Sequence, residues 1–220
     1  MSDHRALQRL LTWLSPAFPV GAFAWSAGLE TAITTGTVQD RQTTQDWVAT
    51  TLAHGGMRTD AIILAHAHRA ARDPAALADL ADLSLALSPA RERHDETTIT
   101  GAAFTTAAKA WPTPVLANLP APCPYPIAVG AIAAGHDIDL ASALTAWLTA
   151  TVHAQVSVAV RLIPIGQSDG LAIMAALESA IESMATLCQH ATVDDIGSVA
   201  YAADIAQMAH ETQTTRIFRS

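Results

Sequence analysis

Lysine is almost absent from this sequence: Lys109 is the only one in 220 residues. It lies far from any glycine loop, so no G-x-x-x-x-G-K-[ST] phosphate cradle exists, and no G-x-G-x-x-G occurs either. Cysteine is scarce as well. Cys123 and Cys188 cannot build a disulfide framework, and their separation fits no zinc module, which suits a reducing cytosol. A net charge of −8 and few cations argue against a nucleic-acid surface. Long uncharged apolar runs are missing too. The most apolar stretch, 127–160, carries His136, Asp137 and Asp139, and so falls short of the about 18 uninterrupted residues a membrane span needs. The N-terminus has only a short apolar run, interrupted by Gln8 and Arg9, and no small-residue cleavage pattern. The expectation is a cytoplasmic chain with neither membrane nor nucleic-acid contact.

What is abundant is alanine, 47 residues of it, in a chain that is half apolar with only eleven aromatics. Alanine is the best intrinsic helix former, so composition alone leans the chain towards helix. Charge is unevenly placed. Residues 1–109 carry a net −2, residues 110–215 a net −8 with Arg161 as their single cation, and residues 216–220 a net +2 from Arg216 and Arg219.

Periodicity agrees with composition. Leucines at 7, 10, 11 and 14 predict a helix over 4–14, stopped by Pro16 and Pro19. Further helices are predicted over 22–34, 44–52, 59–71, from Pro74, from Pro89 to about residue 110, over 127–134 and over 139–162. Leu171, Met174, Leu177, Ile181, Met184 and Leu187 outline another, and Ile205, Met208 and Ala209 mark the last. Between Trp111 and Pro126 prolines stand at 112, 114, 120, 122, 124 and 126, which predicts a loop and a flexible joint. The segment 155–163 is dense in β-branched residues, but the long stripe Leu140, Leu144, Trp147, Leu148, Val152, Val156, Val160 outweighs a strand there. The fold class expected is all-α: one domain of about eight to ten helices over 1–209, followed by a tail over 210–220.

Gly166-Gln-Ser168-Asp-Gly170 fits the G-x-S-x-G nucleophile elbow, with Asp194, Asp195, Asp204 and then His210 downstream. That elbow needs a parallel strand before it, which the pattern lacks, so a serine hydrolase using Ser168 is the alternative reading. His66-Ala-His68 and Cys188-Gln-His190 are the tightest histidine pairs, yet a spacing of two puts the side chains on different helix faces. No H-E-x-x-H occurs, although single histidines can still ligate nickel or zinc at an oligomer interface. Arg161 is either a cation at a helix C-terminus or a planar donor fork offered to a partner. A tail with Phe218 three residues from its end would be wasted if free, so it docks on its own core or orders against another protein.

Three segments resemble the urease accessory protein F (UreF) family. They are Leu14-Ser-Pro-Ala-Phe-Pro-Val-Gly-Ala-Phe-Ala-Trp-Ser-Ala-Gly-Leu-Glu30, Ala159-Val-Arg-Leu-Ile-Pro-Ile-Gly-Gln-Ser-Asp-Gly170, and Asp195-Ile-Gly-Ser198 with the ending Met208-Ala-His-Glu-Thr-Gln-Thr-Thr-Arg-Ile-Phe-Arg-Ser220. They stand in the family's order and span essentially the whole chain. Ala24-Trp25 and Thr214 depart from its usual residues. The resemblance implies an all-α homodimer without catalysis. It would bind urease accessory protein D (also called H), and with it recruit the GTPase accessory protein G for nickel delivery to apo-urease. No cofactor would be held stably, nickel and GTP being handled by the partners. By the same resemblance, partner contacts fall on Arg161, Gly166, Gln167, Asp169 and Gly170, and on a tail that orders on accessory protein D through His210, Glu211, Gln213, Arg216, Phe218, Arg219 and Ser220. A positioning role for Arg161 is favoured over that of an arginine finger.

Overall fold

The structure, a computed structural model, describes residues 3–220; Met1 and Ser2, the start of the expected 1–209 domain, lie outside the described residues. The described chain forms ten α-helices and three short 3-10 turns, with no strand among the described residues. The helices are α1 (Asp3–Trp13), α2 (Leu29–Thr34), α3 (Arg41–His54), α4 (Gly56–Arg69), α5 (Pro74–Ala86), α6 (Arg91–Ala108), α7 (Tyr125–Gly135), α8 (Leu140–Leu162), α9 (Gln167–Cys188) and α10 (Tyr201–His210). The expected all-α class is what the chain adopts, and the β-branched run 155–163 stays helical to Leu162.

Local chemistry sets the boundaries. Asp40, Asp73 and Asp139 accept from backbone N–H groups in the first turns of α3, α5 and α8, satisfying donors that a helix start leaves unpaired. The all-apolar α7 sits at the centre and is buried without interruption from Pro126 to Ala133. Its Gly130 lies against the backbone of Leu64 on α4, so close that a Cβ there would run into the Leu64 carbonyl oxygen. Aromatics fill the adjoining core, with Trp13 edge-on to Phe104 and to Trp111 at 6.2 and 5.8 Å. By length and composition alone α8 and α9 could each cross a bilayer; here α8 is a core helix that buries Leu144, Trp147, Leu148, Val152 and Val156.

Three expectations need correction. The helix predicted over 22–34 is broken into a 3-10 turn, Ala22–Ala24, and α2, because Ala27 and Gly28 both take left-handed backbone at φ +51° and +82°. A side chain at Gly28 would also strike the backbone nitrogen of Gln207, 2.8 Å from its Cβ position. The proline-rich segment is packed rather than open. Val115 and Cys123 are buried, the Thr113 hydroxyl donates to the Gly135 carbonyl (3.1 Å), and the Asn118 amide donates to the Ala71 carbonyl (3.0 Å). In α10 the apolar residues that marked the helix, Ile205, Met208 and Ala209, are exposed; its buried face is Ala203, Ala206, Gln207 and His210.

Candidate functional site

The left-handed pair Ala27-Gly28 reverses the chain between the first 3-10 turn and α2, and this reversal presents Ser26 and the start of α2 to residues 211–220. The tail binds there through its backbone. Arg219 N–H donates to the Ala24 carbonyl (2.8 Å), Ser26 N–H donates to the Ser220 carbonyl (2.9 Å), and the Ser26 hydroxyl donates to that same oxygen. Ala27 N–H in turn donates to the Ser220 hydroxyl at 3.1 Å. Gln155, a buried amide in the middle of α8, holds the far side of this strip by donating to the Ser26 carbonyl (2.9 Å). Phe218 drops into a small second core with Leu29, Ala32, Val38, Val158 and Ala159.

In the single chain residues 211–220 pack against their own core, one of the two dockings expected of them, and His210, Phe218 and Ser220 are buried. The boundary moves, since His210 is the last residue of α10 and sits in the core.

Charge organises the other half of the cleft. The His210 ring is fully buried between two carboxylates, with Nδ1 2.7 Å from Glu92 Oε2 and Nε2 3.0 Å from Glu30 Oε2. Arg216 donates to the second oxygen of Glu92. Glu30 also accepts from the backbone N–H groups of Ile217 (2.7 Å) and Phe218 (2.9 Å). Burial by itself would raise the Glu30 pKa, but the hydrogen bonds from His210, Ile217 and Phe218 and the charge of His210 outweigh it and hold the carboxyl below its usual value.

Arg161, in the last turn of α8, closes the cleft. Its guanidinium lies over the Phe218 ring and donates to the carbonyls of Ser157 and Phe23, both at 3.2 Å. Arg219 stacks likewise over Trp25, 5.1 Å from its centroid. Gln213 accepts from the Thr31 hydroxyl (3.2 Å), and Glu211 accepts from Arg91 N–H (2.7 Å). The turn at 166–170 has a different setting. Gly166 caps α9 with help from Asp169, whose carboxylate also faces Arg41 of α3 at 4.0 Å, and Gln167 is exposed. Gly170 is buried where α9 meets Val156 and Val160 of α8.

The hydrolase geometry does not form. Ser168 is exposed in the first turn of α9, no strand precedes it among the described residues, and His210 is enclosed by glutamates. Among the described residues no group of three His, Cys, Asp or Glu side chains is arranged to hold a metal. His68 bonds instead to the Ile138 carbonyl (2.8 Å).

Sequence reasoning missed Glu30, Glu92, Ser26 and Gln155 as tail-binding residues. Glu92 lies in the run Arg91-Glu-Arg-His-Asp-Glu96, which reads as a solvated face; a glutamine inside the apolar stripe of α8 was the one visible signal. A second, partly buried charge cluster was missed as well. Arg93 pairs with Asp60 and with Glu96 (3.0 Å) beside a cavity of about 210 Å³ that Tyr125, Trp147 and Gln207 also line.

A protein-family model described as UreF matches residues 38–178. A urease accessory protein UreF of Agrobacterium fabrum is 50% identical over 215 residues, 98% of this chain and 96% of that protein. One from Rhizobium etli CIAT 652 is 48% identical over 216 residues, covering 98% and 97%. One from Rhodopseudomonas palustris BisA53 is 46% identical over 222 residues, covering 98% and 93%. The family model stops short of both Ser26 and the tail, but a urease accessory protein UreF of Rhizobium etli CFN 42, 46% identical, aligns over 100% of this chain.

Proposed function

Since this chain belongs to the UreF family, we propose that it is a urease accessory protein acting as a non-enzymatic adaptor. In this reading it binds accessory protein D (H), and the pair recruits the GTPase accessory protein G, so that nickel reaches apo-urease at the expense of GTP held by that partner. The chain itself holds no cofactor, works as a homodimer and resides in the cytoplasm.

The observation that carries the reading is the meeting of three distant segments at one surface. Residues 24–30, Arg161 and residues 210–220 build a single cleft whose rim is basic and apolar: Phe23 and Ile217 are 67% and 75% exposed, and Arg216 and Arg219 stand beside them. A protein with a supporting role needs such a surface more than it needs a nucleophile. Arg161 is engaged by Phe218 and by the Phe23 carbonyl, which favours a positioning role over that of an arginine finger.

The test is reconstitution with accessory proteins D and G. Ile217→Asp and Arg219→Glu alter exposed side chains and leave Phe218 seated, so they probe the rim rather than the fold. Loss of co-elution with accessory protein D, together with loss of nickel-dependent urease activation, is the expected result. Unchanged co-elution removes the rim from the interface. Full urease activation by D and G without this chain overturns the adaptor reading. Labelling of Ser168 by a fluorophosphonate would restore the hydrolase, for which the geometry gives no support.

A further inference from the structure

We propose that the cavity beside Arg93 is a binding site for a small protonated amine, held by the carboxylates of Asp60 and Glu96 and by the amide oxygen of Gln207. The site goes beyond the adaptor reading and does not rest on it.

Five helices frame the cavity. α4 contributes Asp60, α6 contributes Arg93 and Glu96, and α10 contributes Gln207. Tyr125 of α7 and Trp147 of α8 form an aromatic wall, their ring centroids 4.8 Å apart. Two carboxylates share one guanidinium here, since Arg93 pairs with Asp60 and with Glu96 (3.0 Å). The ionised cluster therefore carries one negative charge in excess. The remaining titratable side chains on the wall do not balance it. His153 and Arg161 are exposed, and Arg161 is turned towards Phe218 and the Phe23 carbonyl. Burial raises both carboxyl pKa values, and the charge of Arg93 only partly offsets it. A second cation relieves that excess where one guanidinium does not.

Two neutral side chains give an independent sign of a ligand. Gln207 is 6% exposed and Trp147 2%, yet among the described residues Gln207 Oε1 meets no donor and Trp147 Nε1 no acceptor. Buried polar atoms rarely stay unpaired. An ammonium group supplies donors to Gln207 Oε1 and to the carboxylates together, and sets its charge against the aromatic wall. A hydroxyl next to the ammonium gives the Trp147 N–H its acceptor, which places small amino alcohols ahead of plain alkylamines. The volume of about 210 Å³ lies under the about 300–1,000 Å³ typical of drug-sized pockets, so the guest has only a few heavy atoms. A metal ion is served less well, because among the described residues no group of three His, Cys, Asp or Glu side chains is arranged to hold one. Water satisfies Gln207 and Trp147 but leaves the charge uncompensated.

The test titrates ethanolammonium chloride into the full chain carrying isotope-labelled tryptophan, at constant ionic strength. The indole N–H resonance of Trp147, identified by its loss in Trp147→Phe, should shift saturably. Ethylammonium should bind about three- to tenfold more weakly, while ethylene glycol and sodium chloride leave the resonance in place. Glu96→Gln removes the excess charge and should weaken binding about tenfold; Gln207→Glu adds charge at the same shape and should strengthen it about tenfold. A gain in affinity cannot come from a damaged fold, so Gln207→Glu keeps the test decisive if Glu96→Gln is unstable. No saturable shift with ethanolammonium, an equal shift with ethylene glycol or sodium, unchanged affinity in Glu96→Gln, or no gain in Gln207→Glu would each overturn the amine site.

Discussion

The guanidinium of Arg161 lies 4.4 Å from the centroid of the Phe218 ring, so the single cation of the acidic half of the chain covers the single aromatic of its tail. A cation–π contact at an exposed site contributes about 0.5–1 kcal/mol. Arg161→Ala should therefore raise tail hydrogen exchange roughly two- to fivefold and leave the global unfolding midpoint nearly unchanged. A large fall in the midpoint would show that Arg161 holds the helices together rather than the tail.

Gly130 sits where α4 and α7 approach most closely. Alanine would gain about 0.5–1 kcal/mol in helix propensity, but its methyl meets the Leu64 carbonyl in a fully buried contact. Overpacking of this kind costs about 1–3 kcal/mol and wins. Urea unfolding of Gly130→Ala should show a lower midpoint with an unchanged slope; a more stable variant would mean that the helices separate at little cost.

Arg93→Met should be among the most damaging single changes. It strands Asp60 and Glu96 without their cation; these side chains are only partly buried, so the cost should fall below the about 3–5 kcal/mol of breaking a fully buried pair. Burial already raises both carboxyl pKa values, with Arg93 partly offsetting it. A raised carboxyl pKa means the folded state holds its proton longer than the unfolded one, so stability falls as pH rises from the ordinary carboxylate value towards the raised one. In Arg93→Met that interval widens, and urea midpoints measured against pH should fall more steeply than in the wild type. Parallel profiles would refute it.

Both thiols should be inert while the chain is folded. Burial pushes Cys123 up to about 12 and Cys188 up to about 11, so little thiolate exists near neutrality. Iodoacetamide should label neither until denaturant is added; rapid labelling in the native protein would contradict the packing of Cys123 against α6 or of Cys188, the end of α9, against α4.

Helix positions were legible wherever a cap, a proline or a long apolar stripe marked them, as at Asp73-Pro74 and along α8. The break at Ala27-Gly28 was not, because nothing local announces an alanine in left-handed backbone, and the close approach that keeps Gly28 a glycine comes from Gln207, far along the chain. The odd character of the tail was visible in Phe218 and the two arginines, but its receptor was not. Glu30 and Glu92 become binding residues only when α2, α6 and α10 converge, and an exposed-looking charge run hides that. The face of α10 was misread because alanine packs closely and needs no large side chain to bury, which left Ile205 and Met208 to solvent.

The strip that Gln155 secures has a temporal meaning as well. Residues 24–30 and 155–161 emerge from the ribosome before residues 213–220 do, and chains fold as they are made. For that interval the groove stands open with its glutamates and Trp25 uncovered, and whatever first meets it during synthesis competes with a segment that has not yet been built.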